Sequence, residues 1–149
     1  MEKIIDSLKS RPRAAVKMSR DSELFQTVLK AIQEKKGEKI VSLDLRKIEE
    51  AVADFFILCE AQSHIQVKAI AQHVVEEVEK YCDEKPYHVE SGAEWTLVDF
   101  VNEVVHVFKS EERRFYDMEG LWLDSEKMEH NEGTGAKANA ANPVKAISK

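Results

Sequence analysis

The sequence predicts an α/β layered domain, with a mixed sheet of about five strands flanked by helices. Two patterns and the size of the chain carry that prediction. Stretches with apolar residues at i, i+3, i+4 and i+7 alternate with shorter stretches that are alternately or continuously apolar. Two of the short stretches are separated only by Val101-Asn102-Glu103, which is hairpin spacing. The 149 residues are 43% hydrophobic and 34% charged, the size and composition of one globular domain.

Phe25, Val28, Leu29 and Ile32 form a single apolar stripe, so the body opens with a helix. Ser22 is placed to cap its start, Glu23 suits the positive end of its dipole, and Lys35-Lys36-Gly37 ends it. Over residues 39–45, Val41, Leu43 and Leu45 alternate as on a half-buried strand. Phe55-Phe56-Ile57-Leu58-Cys59 is continuously apolar, the texture of an inner strand covered on both faces. Ser63 and Gln66 have capping-box spacing and start the longest helix, which runs to about Cys82. Val67, Ile70, Ala71, Val74, Val78 and Tyr81 share its apolar side. Three short strands follow over residues 87–90, 95–100 and 104–108. Ser110-Glu111-Glu112 then caps a short helix on which Phe115, Met118 and Trp122 share a face. The order helix, two strands, helix, three strands, helix is that of a layered α/β domain.

Charge and composition divide the chain into three parts. Residues 1–20 carry +4, show no apolar period and contain Arg11-Pro12-Arg13, as a flexible basic arm does. A targeting peptide is the sharper alternative for this arm, and Glu2 and Asp6 count against it. Residues 128–149 are rich in Ala, Asn, Lys and Gly and are expected to form a disordered tail. The domain between them, residues 21–127, carries −11. An acidic body is poorly suited to gripping a phosphate backbone, so direct nucleic-acid binding by it is not expected. It is well suited to steering a basic protein, although acids that only solvate a surface are commoner. The longest apolar run has five residues, far short of a membrane span, and no secretory signal is evident. Cys59 and Cys82 are too few for a disulfide framework or a structural zinc site, and a reducing cytoplasm is the expected compartment.

Catalytic patterns are scarce. The five glycines form no phosphate loop, and no serine sits in a Gly-x-Ser-x-Gly elbow. None of the five histidines is paired with another at i, i+3 or i+4, so neither a metal nor a cofactor is expected. His106 lies between valines on a strand. It is either a titrating group near a partner surface or, the commoner case, a half-buried histidine satisfied by a carboxylate such as Asp99. Asp44 and Asp54 close one strand and open the next; together they would make an acid pair, and singly they serve turns and caps. Trp95 starts a strand after Ser91-Gly92-Ala93-Glu94, and is equally a core plug or an exposed anchor for a partner.

Asp44-Leu45-Arg46, Ala53-Asp54-Phe55-Phe56-Ile57-Leu58 and Ser63-x-x-Gln66-Val67-x-Ala69-Ile70-Ala71 together resemble the Iojap family of ribosomal silencing factors. Trp95-Thr96-Leu97-Val98-Asp99-Phe100, Val104-Val105-His106-Val107-Phe108 and Arg114-x-Tyr116-x-x-Glu119-x-Leu121-Trp122 extend the resemblance over about residues 22–124. It implies a nucleotidyltransferase-like fold without the enzymatic residues. It further implies a translational repressor that docks on the large ribosomal subunit at the universal ribosomal protein L-fourteen. There it sterically blocks joining of the small subunit when nutrients are scarce. On this resemblance Trp95, Leu97, Asp99, Val104 and His106 form the partner-binding surface, and Asp54, Arg114, Tyr116 and Trp122 support it. No catalytic residue is expected. The alternative from the same fold is an enzyme acting on a nucleotide with magnesium, for which Asp44 and Asp54 would have to meet. Apolar groups exposed for the ribosome also suit a homodimer when the protein is free. The chain departs from the family pattern at Val101-Asn102, where relatives often carry Gly-Asp, and at Glu103, where they carry an apolar residue. Val in place of Gly predicts a different hairpin turn.

Overall fold

The computed structural model describes residues 22–49, 51–92 and 94–130; the expected basic arm and the chain beyond residue 130 lie outside the described residues. Helix α1 (Glu23–Glu34) starts at Ser22, whose hydroxyl accepts the Phe25 N–H at 3.1 Å. It ends in a Schellman-type turn with Lys36 at φ 66, where Gly37 N–H donates to Ile32 O at 2.9 Å. Strands β1 (Glu38–Asp44) and β2 (Phe55–Ala61) pair antiparallel. Helix α2 (His64–Cys82) is capped by Ser63, whose hydroxyl accepts the Gln66 N–H at 3.2 Å. The Gln66 amide reaches the Lys35 and Lys36 carbonyls, 3.4 Å from each, so it helps finish α1. The remaining elements are β3 (His88–Ser91), β4 (Trp95–Asp99), β5 (Glu103–Lys109), α3 (Ser110–Tyr116), α4 (Met118–Leu121) and β6 (Glu126–Glu129).

The six strands form one sheet in the order β3-β4-β5-β2-β1-β6. Only β2 and β5 run parallel, so the mixed sheet predicted from the sequence is what forms. Alternation along the central strands divides the apolar residues between two cores. Phe55, Ile57, Cys59, Val105 and Val107 point to one face and are covered by α1 and α2. These helices run antiparallel, with Thr27 beside Cys82 at one end and Glu34 beside His73 further along. Phe56, Leu58, Leu97, Val104 and Phe108 point to the other face, beneath Ala51–Ala53 of the β1–β2 connection and Met118 of α4. The continuously apolar strand is therefore an inner strand, covered on both faces. Among the described residues no helix is long and apolar enough to cross a membrane.

Three expectations are corrected. A sixth strand, β6, pairs with β1 and takes in Met128 and Glu129, which composition assigned to a disordered tail. It is a short, charged edge strand held by backbone hydrogen bonds, which composition does not register. The last predicted helix breaks at Asp117 (φ 26) into α3 and α4, leaving Phe115 78% exposed while Met118 is fully buried. Ser110 is not its cap: the hydroxyl donates to Ala61 O at 3.2 Å and ties α3 to β2. Finally, the β4–β5 turn keeps a glycine-like backbone despite its valine, with Val101 at φ 74. The Asp99 carboxylate accepts the Val101 N–H at 2.7 Å, and Phe100 N–H donates to Glu103 O at 2.9 Å. Those bonds hold a β-branched residue where it is intrinsically disfavoured.

Candidate functional site

The antiparallel register of β4 and β5 sets Trp95 opposite Phe108, Leu97 opposite His106, and Asp99 opposite Val104. Trp95, Leu97, Asp99, Val104 and His106 therefore lie side by side on one face of the sheet, as their odd and even spacings require. Gly92 makes the approach to this strand close: its N–H donates to Trp95 O at 3.1 Å, and a Cβ there would stand 2.6 Å from that oxygen.

Of the five, only Trp95 reaches the surface, and it is half-buried; Leu97, Asp99, Val104 and His106 are buried. The indole stacks on Phe108 with ring centroids 4.7 Å apart and leans on Tyr116 at 5.0 Å. Its N–H donates to His106 Nδ1 at 3.2 Å. Because an indole nitrogen only donates, His106 Nδ1 must be the acceptor and the neutral ring carries its proton on Nε2. His106 is thus partnered by Trp95 at Nδ1 and not by Asp99, whose carboxylate is used in the hairpin turn, while its buried Nε2 has no hydrogen-bond partner among the described residues. It packs edge-on to Phe56 at 4.6 Å, and complete burial pushes its pKa down to about 3. It is no titrating surface group.

The supporting residues divide differently from the expectation. Asp54 is fully buried where strands meet: its N–H donates to Asn102 O at 2.8 Å and its carbonyl accepts the Leu45 N–H at 2.8 Å. Tyr116 and Trp122 are half-buried, the latter edge-on to Phe56 at 5.9 Å. Arg114 is exposed, and the arginine that ties the fold together is its neighbour Arg113. Arg113 donates to Lys39 O at 2.6 Å, where a register shift bulges β1, and pairs with Glu60 at 3.3 Å and Glu119 at 3.6 Å.

Around Trp95 and Tyr116 the surface is apolar and then acidic. Phe115 is 78% exposed; further along the chain Leu121 and Leu123 are 53% and 81% exposed. Phe115 stands edge-on to Tyr116 at 4.9 Å, continuing the aromatic run outward. Glu94, Glu111 and Glu112 crowd the adjoining corner, where Lys109 bridges Glu94 and Glu111 at 3.8 Å each. The Glu112 carboxyl is pushed up, by desolvation first and then by Glu94. Residue spacing hid the exposed apolar group, because a helix continuing through residue 117 would have buried Phe115.

The two carboxylates that the alternative nucleotide reading needs, Asp44 and Asp54, are both engaged within the fold. Both oxygens of Asp44 are held by Arg46, at 2.9 and 2.7 Å, and Asp54 is sealed in the core. A groove of about 440 Å³ beside α3 is lined by Lys39, Arg113, Arg114 and Lys127 against Glu60, Asp117, Glu119 and Glu129. Matched charges leave it no surplus to hold phosphates. Among the described residues one group of side chains is close enough to share an ion: Glu34, His73 and Glu77, on the helical face of the sheet.

The chain is similar to known proteins over most of its length. Residues 18–149 match the family profile described as a ribosomal silencing factor during starvation. The chain is 36% identical over 114 residues to the ribosomal silencing factor RsfS of Halalkalibacterium halodurans, covering 73% of this chain and 93% of that protein. It is 39% identical over 100 residues to its Bacillus subtilis counterpart, covering 64% and 80% of the two chains. Against the chloroplastic Iojap protein of Zea mays it is 29% identical over 121 residues, covering 79% of this chain and 53% of that one. A crystal structure from Chromobacterium violaceum superposes with a TM-score of 0.64 at 31% identity, over 70% of this chain and 87% of that one. Sequence and fold thus agree, and the chain belongs to the ribosomal silencing factor family, whose function is to repress translation by associating with the ribosome.

Proposed function

We propose that this protein binds the large ribosomal subunit through ribosomal protein L-fourteen and blocks joining of the small subunit by occupying the space it needs. The observation that carries the docking surface is the half-buried Trp95–Tyr116 pair, extended outward by exposed Phe115 and flanked by an acidic corner. Aromatic anchors ringed by less critical contacts are the usual core of a protein interface. The acidic rim complements a basic ribosomal protein. His106 acts from beneath, its Nδ1 accepting the indole N–H, while Leu97, Asp99 and Val104 are buried along the same hairpin. The action is occupancy without catalysis, in keeping with an Asp44 tied to Arg46 and an Asp54 in the core.

The test is inhibition of joining between purified subunits, with melting curves on the same variants. Wild type should sediment with large subunits and slow joining when added before small subunits. Trp95→Ala should weaken binding by about 2 kcal/mol or more, at least tens of fold in affinity. It should also lower stability by roughly 2–3 kcal/mol, because a stacked ring and its hydrogen bond are lost. Phe115→Ala separates the two effects: it should keep wild-type stability and still weaken binding. A wild-type protein that neither binds large subunits nor slows joining overturns the function; full inhibition by both variants overturns the surface.

A further inference from the structure

On the opposite face of the sheet, the antiparallel packing of α1 and α2 brings three potential metal ligands together. Glu34 is the last residue of α1, and His73 and Glu77 stand one turn apart on α2. One ligand atom from each lies within 4.8 Å of the other two. His73 Nε2 and Glu34 Oε1 already meet at 2.8 Å. We propose that Glu34, His73 and Glu77 form a divalent transition-metal site, of the zinc type, that clamps α1 to α2.

The donor set supports that cation class. An imidazole nitrogen favours zinc and its neighbours over magnesium or calcium, which take oxygen ligands. Two carboxylates neutralise a dication, and three protein ligands leave a fourth tetrahedral position for water. Ligand atoms around such an ion stand roughly 3.3 Å apart, given bonds of about 2.0–2.1 Å, so small side-chain rotations close the site. Glu77 distinguishes a metal site from a simple inter-helix hydrogen bond. The pair His73–Glu34 is complete without Glu77, which supplies the third ligand atom. Spacing among histidines alone could not reveal the site, since the i, i+4 partner of His73 is a carboxylate and the third ligand is on another helix.

Thermal unfolding of the untagged full-length chain, with zinc chloride titrated in chelator-free buffer, tests the site. Zinc should raise the melting temperature saturably, by roughly 5 °C at tenfold above its Kd, while magnesium at the same concentrations does nothing. Glu77→Gln should melt like wild type without zinc and lose the zinc-dependent rise. His73→Gln should lose it as well. His88→Ala, which removes a histidine paired with Glu90 at 3.2 Å on β3, should keep it. No rise in wild type, or an equal rise in Glu77→Gln, overturns the proposal.

Discussion

Glu103 and His106 are three residues apart on β5, face opposite sides of the sheet, and are both completely buried. Both Glu103 carboxylate oxygens lack a hydrogen-bond partner among the described residues. Burial first, then the nearby Glu84, pushes its pKa from 4.5 up to about 8, so it is neutral in the fold at neutral pH. Burial alone pushes His106 from 6.5 down to about 3. The signs of the two linkages are opposite. Between pH 4.5 and 8 the folded state holds a proton on Glu103 that the unfolded chain has released, so stability falls as pH rises. Between pH 3 and 6.5 the unfolded chain holds a proton that folded His106 refuses, so stability falls as pH drops. From pH 4.5 to 6.5 the two slopes oppose each other, leaving a plateau with a decline on either side. Denaturant titrations should show the alkaline decline at up to about 1.4 kcal/mol per pH unit, and Glu103→Gln should flatten it above pH 6.5. A wild-type slope surviving in Glu103→Gln would assign the decline to other groups. Glu103 is legible in the sequence as a charge at the start of an apolar strand, but its neutrality is not. That depends on α1 and α2 covering its side of the sheet.

At the scale of elements, period and caps placed α1, β2, α2 and the β4–β5 hairpin within a residue or two. The failures lie where long-range backbone pairing or a local break decides. Nothing in Glu126-Lys127-Met128-Glu129 alternates, yet β1 accepts it as an edge strand, and His130 secures its end. His130 N–H donates to Ile40 O at 2.7 Å, its ring Nε2 lies 2.8 Å from the buried Ser42 hydroxyl, and it packs edge-on to Phe25 at 5.8 Å. Ending the chain after Ser125 should therefore cost about 2–4 kcal/mol in urea unfolding, and His130→Ala about 1–2 kcal/mol. Unchanged midpoints in both would show that β6 contributes nothing to stability. The candidate site was half legible for the same reason. Alternation put Trp95, Leu97 and Asp99 on one face, but the cover over Leu97 and His106 comes from segments distant in sequence. Alternation alone cannot distinguish a partner-facing surface from a second core.

For the whole molecule, a net charge of −6 and the acidic corner beside Trp95 make association with a basic partner electrostatically assisted. Affinity for isolated ribosomal protein L-fourteen should fall between low and moderate salt, chiefly through slower association. Salt-independent rates in a stopped-flow experiment would reduce the acids to solvating groups. The fold adds a division of labour, because the sheet separates a helical face from an aromatic one. The chain has two tryptophans, and both Trp95 and Trp122 lie in the aromatic layer; the helical layer has none. The protein's ultraviolet emission consequently arises from the side proposed to meet the ribosome. Docking that drives water from the half-exposed indoles shifts that emission to the blue, whereas an ion clamped between α1 and α2 leaves its colour unchanged.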